Sequence, residues 1–417
     1  MQLHPSHPRG TTAQFVLAIM SIVLYGLAGI ILLFSAFSPG AGSGTTLTDQ
    51  ITSLSLALTA FTACFLMIPS FVHARRPAQP SPVVAIHKPL LLAVTLGMVL
   101  WGGMVFFEGT LAQNSASPWL LAFLQIFATG LPLFFIFVVA SRGLSAGSKQ
   151  RAWGIFDLSL SVTPLVIIIL ETLLLILFGL IVVFALLMQP GALNNLQSLT
   201  QDLQNLGNNP SLTNPLIAEF SQSPDFLFGL LIMVAFLVPL VEEILKPLGL
   251  IVLAKRKPTP SQGFVSGVLC GAGFAFLETS SALAGAAGAD WTTLAVTRLG
   301  TGLLHITASG LVGWGLASAI TLKKRGRFWG TYLAAAALHG TWNAFAVLMG
   351  YFPILTGTIK PNLQVAAWLG NIAPFVLIAI SMGMVVILVA MNRKLRKETT
   401  TPPELPISPV SEPHPLS

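Results

Sequence analysis

Residues 226–254 read FLFGLLIMVAFLVPLVEEILKPLGLIVLA, and the charges in this run, Glu242, Glu243 and Lys246, all fall within one helical turn. At ~1.5 Å per residue a run of this length crosses the ~30 Å hydrocarbon layer of a bilayer. Two glutamates and a lysine inside lipid cost several kcal/mol unless they pair or meet water, so the run needs a protein interior to face. The glutamate–lysine spacings of three and four place the ammonium one turn from either carboxylate. Pro239 and Pro247 bracket the group, and each lacks a backbone N–H, which frees a carbonyl and favours a kink.

The rest of the chain agrees with a bilayer as solvent. Of 417 residues 54% are hydrophobic and 8% charged, with mean hydropathy +0.81, against about 25% charged in a soluble domain. The expected fold is an all-α polytopic membrane protein. Ten spans are read, at 13–37, 51–72, 89–107, 118–141, 158–188, 226–254, 262–286, 293–321, 328–350 and 365–391. The first is longer than a signal-peptide core and lacks a convincing cleavage site. With both termini cytoplasmic, 18 of the 21 Lys and Arg residues fall in inner segments, as the positive-inside bias requires.

The formal charge of +7 is thus a set of anchors at the inner face, and nucleic-acid binding is excluded as its explanation. Cys64 and Cys270 both lie in apolar runs, which leaves no disulfide framework or cysteine zinc site. Cys270 reads as a small packing residue. The organisation expected is a tail (1–12), five helices (13–188), an outer segment (189–225), a four-helix core (226–350), a last span (365–391) and a disordered cytoplasmic tail (392–417). In the outer segment Leu193, Leu196, Leu199, Leu203 and Leu206 describe a short amphipathic helix ended by Gly207, better read as lying on the membrane surface than as a lid.

Ionisable groups within the spans are Glu171, Glu242, Glu243, Lys246, Glu278, Arg298, His305 and His339, with Asn343 as a polar companion. All but Glu171 belong to helices six to nine. Counted from the inner helix ends at ~1.5 Å per residue, Glu243 and His339 lie ~17 Å deep and Glu278 and His305 ~24 Å. Four helices of alternating direction therefore deliver their ionisable groups to one layer. A carboxylate there can act as a base toward water. A neutral histidine and an asparagine amide can donate to the oxyanion of an attacked amide. Imidazole and carboxylate also suit zinc.

The segments Glu242-Glu243-Ile-Leu-Lys246, Phe274-Ala-Phe-Leu-Glu278, Leu-Leu-His305 and His339-Gly-Thr-Trp-Asn343, in this order on successive helices, resemble the PrsW family of intramembrane proteases. That family is related to the CAAX-processing endopeptidases, whose corresponding motifs are EExxxR, FxxxH and HxxxN. The resemblance covers residues 226–350. It implies an intramembrane endopeptidase in which Glu243 or Glu242 activates water, Glu278 and His305 line the site, and His339 with Asn343 stabilises the oxyanion. Lys246 and Arg298 support it. If the mechanism is metal-dependent and not glutamic, zinc would sit on His305, His339, Glu278 and Glu243. The substrate implied is a membrane-anchored protein or peptide, an anti-sigma factor in some bacterial members, in a bacterial or archaeal plasma membrane. Family members often carry Asn after the second-motif glutamate, where this chain has Thr279.

Two other functions are weighed. A catalytically inactive scaffold of the same family would keep the bundle without the chemistry. A proton-coupled transporter also places acidic and histidine groups at mid-membrane, but no motif repeats between the two halves of the chain. Glu171 reads as a partner for a neighbouring polar group, or as a protonated or snorkelling residue. Arg298 reads as a charge partner of Glu278 or Glu243. Lys246 lies about 40° from Glu242 and about 60° from Glu243 around an ideal helix. On that ground Glu243 is the less compensated carboxylate and the expected base.

Overall fold

The structure is a computed structural model, and it describes residues 8–38, 46–77, 79–81, 88–113, 117–188, 220–252, 257–284, 286, 291–354 and 359–400. The described residues form helices α1 (Pro8–Ser35), α2 (Leu47–Ala74), α3 (Lys88–Gln113), α4 (Pro118–Ser141), α5 (Lys149–Leu160) and α6 (Val162–Leu187). An interrupted helix follows, made of α7 (Pro224–Leu231), a π-helical turn (Ile232–Leu237), α8 (Val238–Leu245) and α9 (Leu248–Val252). The chain continues as α10 (Pro260–Ala284), α11 (Trp291–Leu322), α12 (Arg325–Tyr351) and α13 (Gln364–Thr400). No strand occurs among the described residues; Pro80 and Ser148 form an isolated bridge.

Nine helices among the described residues are long and apolar enough to cross a membrane. The tenth expected span coincides with α3, whose apolar stretch Leu92–Glu108 is shorter. Polarity is arranged for lipid outside: Phe34 is 70% exposed, Leu100 71% and Phe375 74%, whereas Glu243 and Lys246 are fully buried. The protein is an integral membrane protein. The expected amphipathic helix at 193–206 and the tail beyond residue 400 lie outside the described residues. Residues 392–400, expected in a disordered tail, instead extend α13.

The expected fifth span is two helices, broken at Ser161. Pro164 cannot donate to the Leu160 carbonyl, and the Tyr25 hydroxyl donates to it at 2.5 Å instead. Helices three and five also begin or end beyond the expected spans, so Glu108 of α3 and Asp157 of α5 are buried within the bundle. Sequence reading had left both outside.

The core lies between α4, α10 and α11, with Ile136, Phe264, Val268, Leu304 and Ile306 in one apolar cluster. The glycines of α10 and α11 serve close packing. A Cβ at Gly271 would collide with the His305 carbonyl oxygen, and one at Gly267 with that of Ser309. This contact fixes the height of His305 against α10, which also carries Glu278. Cys270 is buried beside Ile155 and Leu250 with a free thiol, the packing role its sequence context suggests.

Candidate functional site

The geometry begins with the broken helix. Val238 N–H donates to the Met233 carbonyl five residues back, which is the π-helical register. The next carbonyl in that register, Val234, would need the N–H of residue 239, a proline. Asn343 of α12 fills the gap, its Nδ2 donating to Val234 O at 2.9 Å. The Tyr332 hydroxyl makes a second tie from α12, donating to Leu240 O at 3.0 Å. These contacts set α8 against α12 so that the glutamate pair faces His339.

Lys246 stands at the centre. Its Nζ donates to Glu243 Oε1 at 2.6 Å and to His305 Nδ1 at 2.7 Å, and lies 2.7 Å from Glu242 Oε2. His339 Nδ1 donates to Glu243 Oε1 at 2.9 Å. On the far side of the His305 ring, Nε2 donates to Glu278 Oε2 at 2.5 Å, and Arg298 Nη2 pairs with Glu278 Oε1 at 3.0 Å. His305 therefore carries its proton on Nε2 and turns the Nδ1 lone pair to the centre. Arg298 also donates to Thr279 Oγ1 at 3.4 Å, so the residue that departs from the family pattern holds the arginine.

A cavity of about 610 Å³ opens onto this cluster. Glu242, Glu278, Arg298, His339 and Asn343 line it, and its apolar wall includes Met233, Leu294, Trp342 and Val347. Glu243, Lys246 and His305 are not on its wall; they lie behind. All six residues expected in the site thus converge from α8, α10, α11 and α12, and the two supporting residues join them. Arg298 pairs with Glu278 and not with Glu243.

Three expectations change. Lys246 does not single out Glu242: it holds both glutamates, and Glu243 has the additional histidine contact. The carboxylate that faces the cavity is Glu242, whereas the helix-wheel argument expected Glu243 there. An ideal wheel ignores the π-helical turn and Pro247, which re-aim the side chains of α8. Asn343 spends one amide hydrogen on a backbone carbonyl. Glu171, for which a neighbouring polar partner was one reading, lines the same cavity with its side chain toward Glu242. Its lone position in an apolar helix was the signal, since such a residue needs a polar neighbour.

The donor set that suits a metal ion is Glu242, Glu243, His305 and His339, whose ligand atoms lie within 4.8 Å of one another. It differs from the expected set in one member: Glu278 is not among the four and instead orients His305 from outside, as carboxylates commonly do for ligating histidines. Two imidazoles and two carboxylates fit zinc in donor chemistry.

A buried carboxylate–histidine centre with a cavity beside it, enclosed by spanning helices, defines a membrane protein built to do chemistry within the bilayer. The model of one family, the PrsW family intramembrane metalloproteases, matches residues 172–391, more than half of the chain, and the chain belongs to that family. The match contains every site residue above except Glu171, which stands one position before it. No curated protein and no solved structure gave a match.

Proposed function

We propose that this protein is an intramembrane endopeptidase that hydrolyses a peptide bond of a membrane-anchored protein, with Glu242 as the base that activates water. The observation that carries the reading is the position of Glu242: it faces the cavity beside His339 and Asn343, while Glu243 and Lys246 close the charge cluster behind it. A peptide segment in the cavity brings its carbonyl against this wall. Water held by Glu242 gives its proton to the carboxylate and attacks the carbonyl carbon. The second amide hydrogen of Asn343 is the donor offered to the developing oxyanion, and His339 stands beside it with its Nδ1 hydrogen held by Glu243. The proton then passes to the leaving amine, and Glu278, held by Arg298 and His305, keeps the histidine ring in place throughout. A zinc-class ion held by Glu242, Glu243, His305 and His339 would supply Lewis-acid polarisation of the substrate carbonyl.

The substrate enters from one end of the bundle. The lining residues of α11, Leu294 to Thr301, are near its start, and those of α12, His339 to Val347, in its second half, so the cavity lies away from the basic loop 323–327 that joins these helices. With the termini and basic loops in the cytoplasm, that is the outer half of a bacterial or archaeal plasma membrane. Anti-sigma factors are one substrate class to present.

The test is cleavage of tagged single-span proteins, anti-sigma factors among them, by the full chain in liposomes, with and without chelator. Glu242→Gln should lose about a hundredfold or more in rate while folding normally. Full activity in Glu242→Gln would sink the assignment of the base, and full activity in both Glu242→Gln and Glu243→Gln would sink the hydrolase.

A further inference from the structure

The donor geometry around Lys246 carries a consequence for metal binding. Three of the four metal-capable side chains, Glu242, Glu243 and His305, point their ligand atoms at one atom, Lys246 Nζ, at 2.6–2.7 Å. Around Nζ itself, His305 Nδ1 and Glu242 Oε2 stand 4.0 Å apart; the fourth ligand, His339 Nδ1, reaches the cluster through Glu243 Oε1 at 2.9 Å and lies 4.0 Å from Glu242 Oε2. A tetrahedral zinc at ~2.0–2.1 Å from its ligands requires ligand separations of ~3.3–3.4 Å. The observed 4.0 Å is nearer the ~4.3 Å that tetrahedral geometry gives around a hydrogen-bonding ammonium. In spacing as well as charge, the cluster is closed around a lysine.

We propose that Lys246 is a built-in cation occupying the seat in which this site would hold a metal ion, so that metal and the Lys246 ammonium exclude one another. A metal can enter only when the ammonium swings out, the four ligand atoms draw in, and His339 turns a lone pair and not a proton to the centre. The ammonium already lies over the Phe274 ring, 4.8 Å from its centroid, and the flexible side chain can keep this cation–π contact as it withdraws from the glutamates. The lysine of the first motif thereby sets the metal affinity of the site: it neutralises the two buried glutamates when no metal is bound, and must be displaced when one is. The inference uses the same residues as the proteolytic reading, but its test reads metal binding and not cleavage, so either can fail alone.

The full chain in detergent or nanodiscs is titrated with Co²⁺ and Zn²⁺, reading cobalt absorption and thermal stability. Lys246→Met should bind Co²⁺ with a Kd lower by about tenfold or more. It should melt below wild type without metal, because two buried carboxylates lose their partner, and regain stability as metal is added. Adding His305→Ala should abolish the gain. Arg327→Met, which removes a cation stacked on Trp314 outside the site, should leave the Kd near wild type; equal effects of the two methionine variants would overturn the proposal, as would unchanged affinity in Lys246→Met. If Lys246→Met and Lys246→Gln fail to fold even with metal present, wild type decides by a structure determined with Zn²⁺ at saturation. Lys246 displaced from the four ligand atoms is the expected result, and Lys246 still bridging both glutamates beside a bound ion overturns it.

Discussion

At the scale of single residues the site is a chain of charge that alternates in sign. Arg298 holds Glu278, Glu278 holds His305, and Lys246 joins His305 to the glutamate pair. Each member fixes its neighbour's orientation, and the buried charges are tolerable only because none is alone. Glu278 is the most accessible carboxylate of the set, its side chain 35% exposed, yet its work is to position a ring. Glu278→Gln should therefore leave the fold intact and lower both metal affinity and cleavage by about 10–100-fold, measured on the same preparations. An unchanged metal Kd would mean that His305 needs no orienting partner. The identities of these residues were legible in the sequence because ionisable groups are so rare in lipid that each one declares itself. Their partners were not. Which glutamate faces the cavity depends on side-chain directions set by a π-helical turn, and periodicity carries no trace of it. Glu171 was visible as an oddity, but its place opposite Glu242 depends on how α6 packs against α8.

At the scale of elements, prolines inside helices recur with a common remedy. Pro132 in α4 cannot donate to Ala128 O, and Trp101 Nε1 of α3 donates to it at 2.9 Å. Pro164 frees Leu160 O for Tyr25, and Pro239 frees Val234 O for Asn343. In hydrocarbon an orphaned carbonyl has no water to turn to, and each of these three prolines is matched by a donor on a neighbouring helix. These donors act as registration pins between helix pairs. Tyr25→Phe, which keeps the ring and removes the donor, should cost about 0.5–2 kcal/mol in detergent unfolding, and Trp101→Phe, which also shortens a buried ring system, somewhat more, neither changing metal affinity. Asn343→Ala should cost a similar amount and also reduce cleavage, since its carbonyl lies one turn before the glutamate-bearing α8. A destabilisation below the error of the measurement in all three would show that the freed carbonyls find other donors. The prolines were legible in the sequence as kinks. Their partners, 27, 109 and 135 residues away in the three pairs, belong to tertiary packing.

At the scale of the whole molecule, the distribution of basic residues and the shape of the cavity bear on the same question, which side of the membrane the substrate meets. The sequence placed ten spans, and the helices correspond to them with the fifth divided by Ser161 and the third shorter in its apolar stretch. The alternation survives, because α5 and α6 are continuous in direction for the purpose of crossing: together they make one candidate span, Lys149–Leu187. If the basic loops face the cytoplasm, the positive-inside bias and the cavity wall on the first half of α11 and the last half of α12 together put substrate access in the outer half of the bilayer. Reporter fusions after residues 45, 205 and 357 should then report the outer side, and fusions after 80, 147 and 325 the inner side. The fusions at 325 and 357 matter most, since they flank α12, the helix that carries His339 and Asn343. An outer signal at 325 with an inner signal at 357 would reverse α11 and α12 and turn the cavity toward the cytoplasm. The substrate sought would then be one whose scissile bond lies near the inner face, and the choice of candidate proteins would change with it.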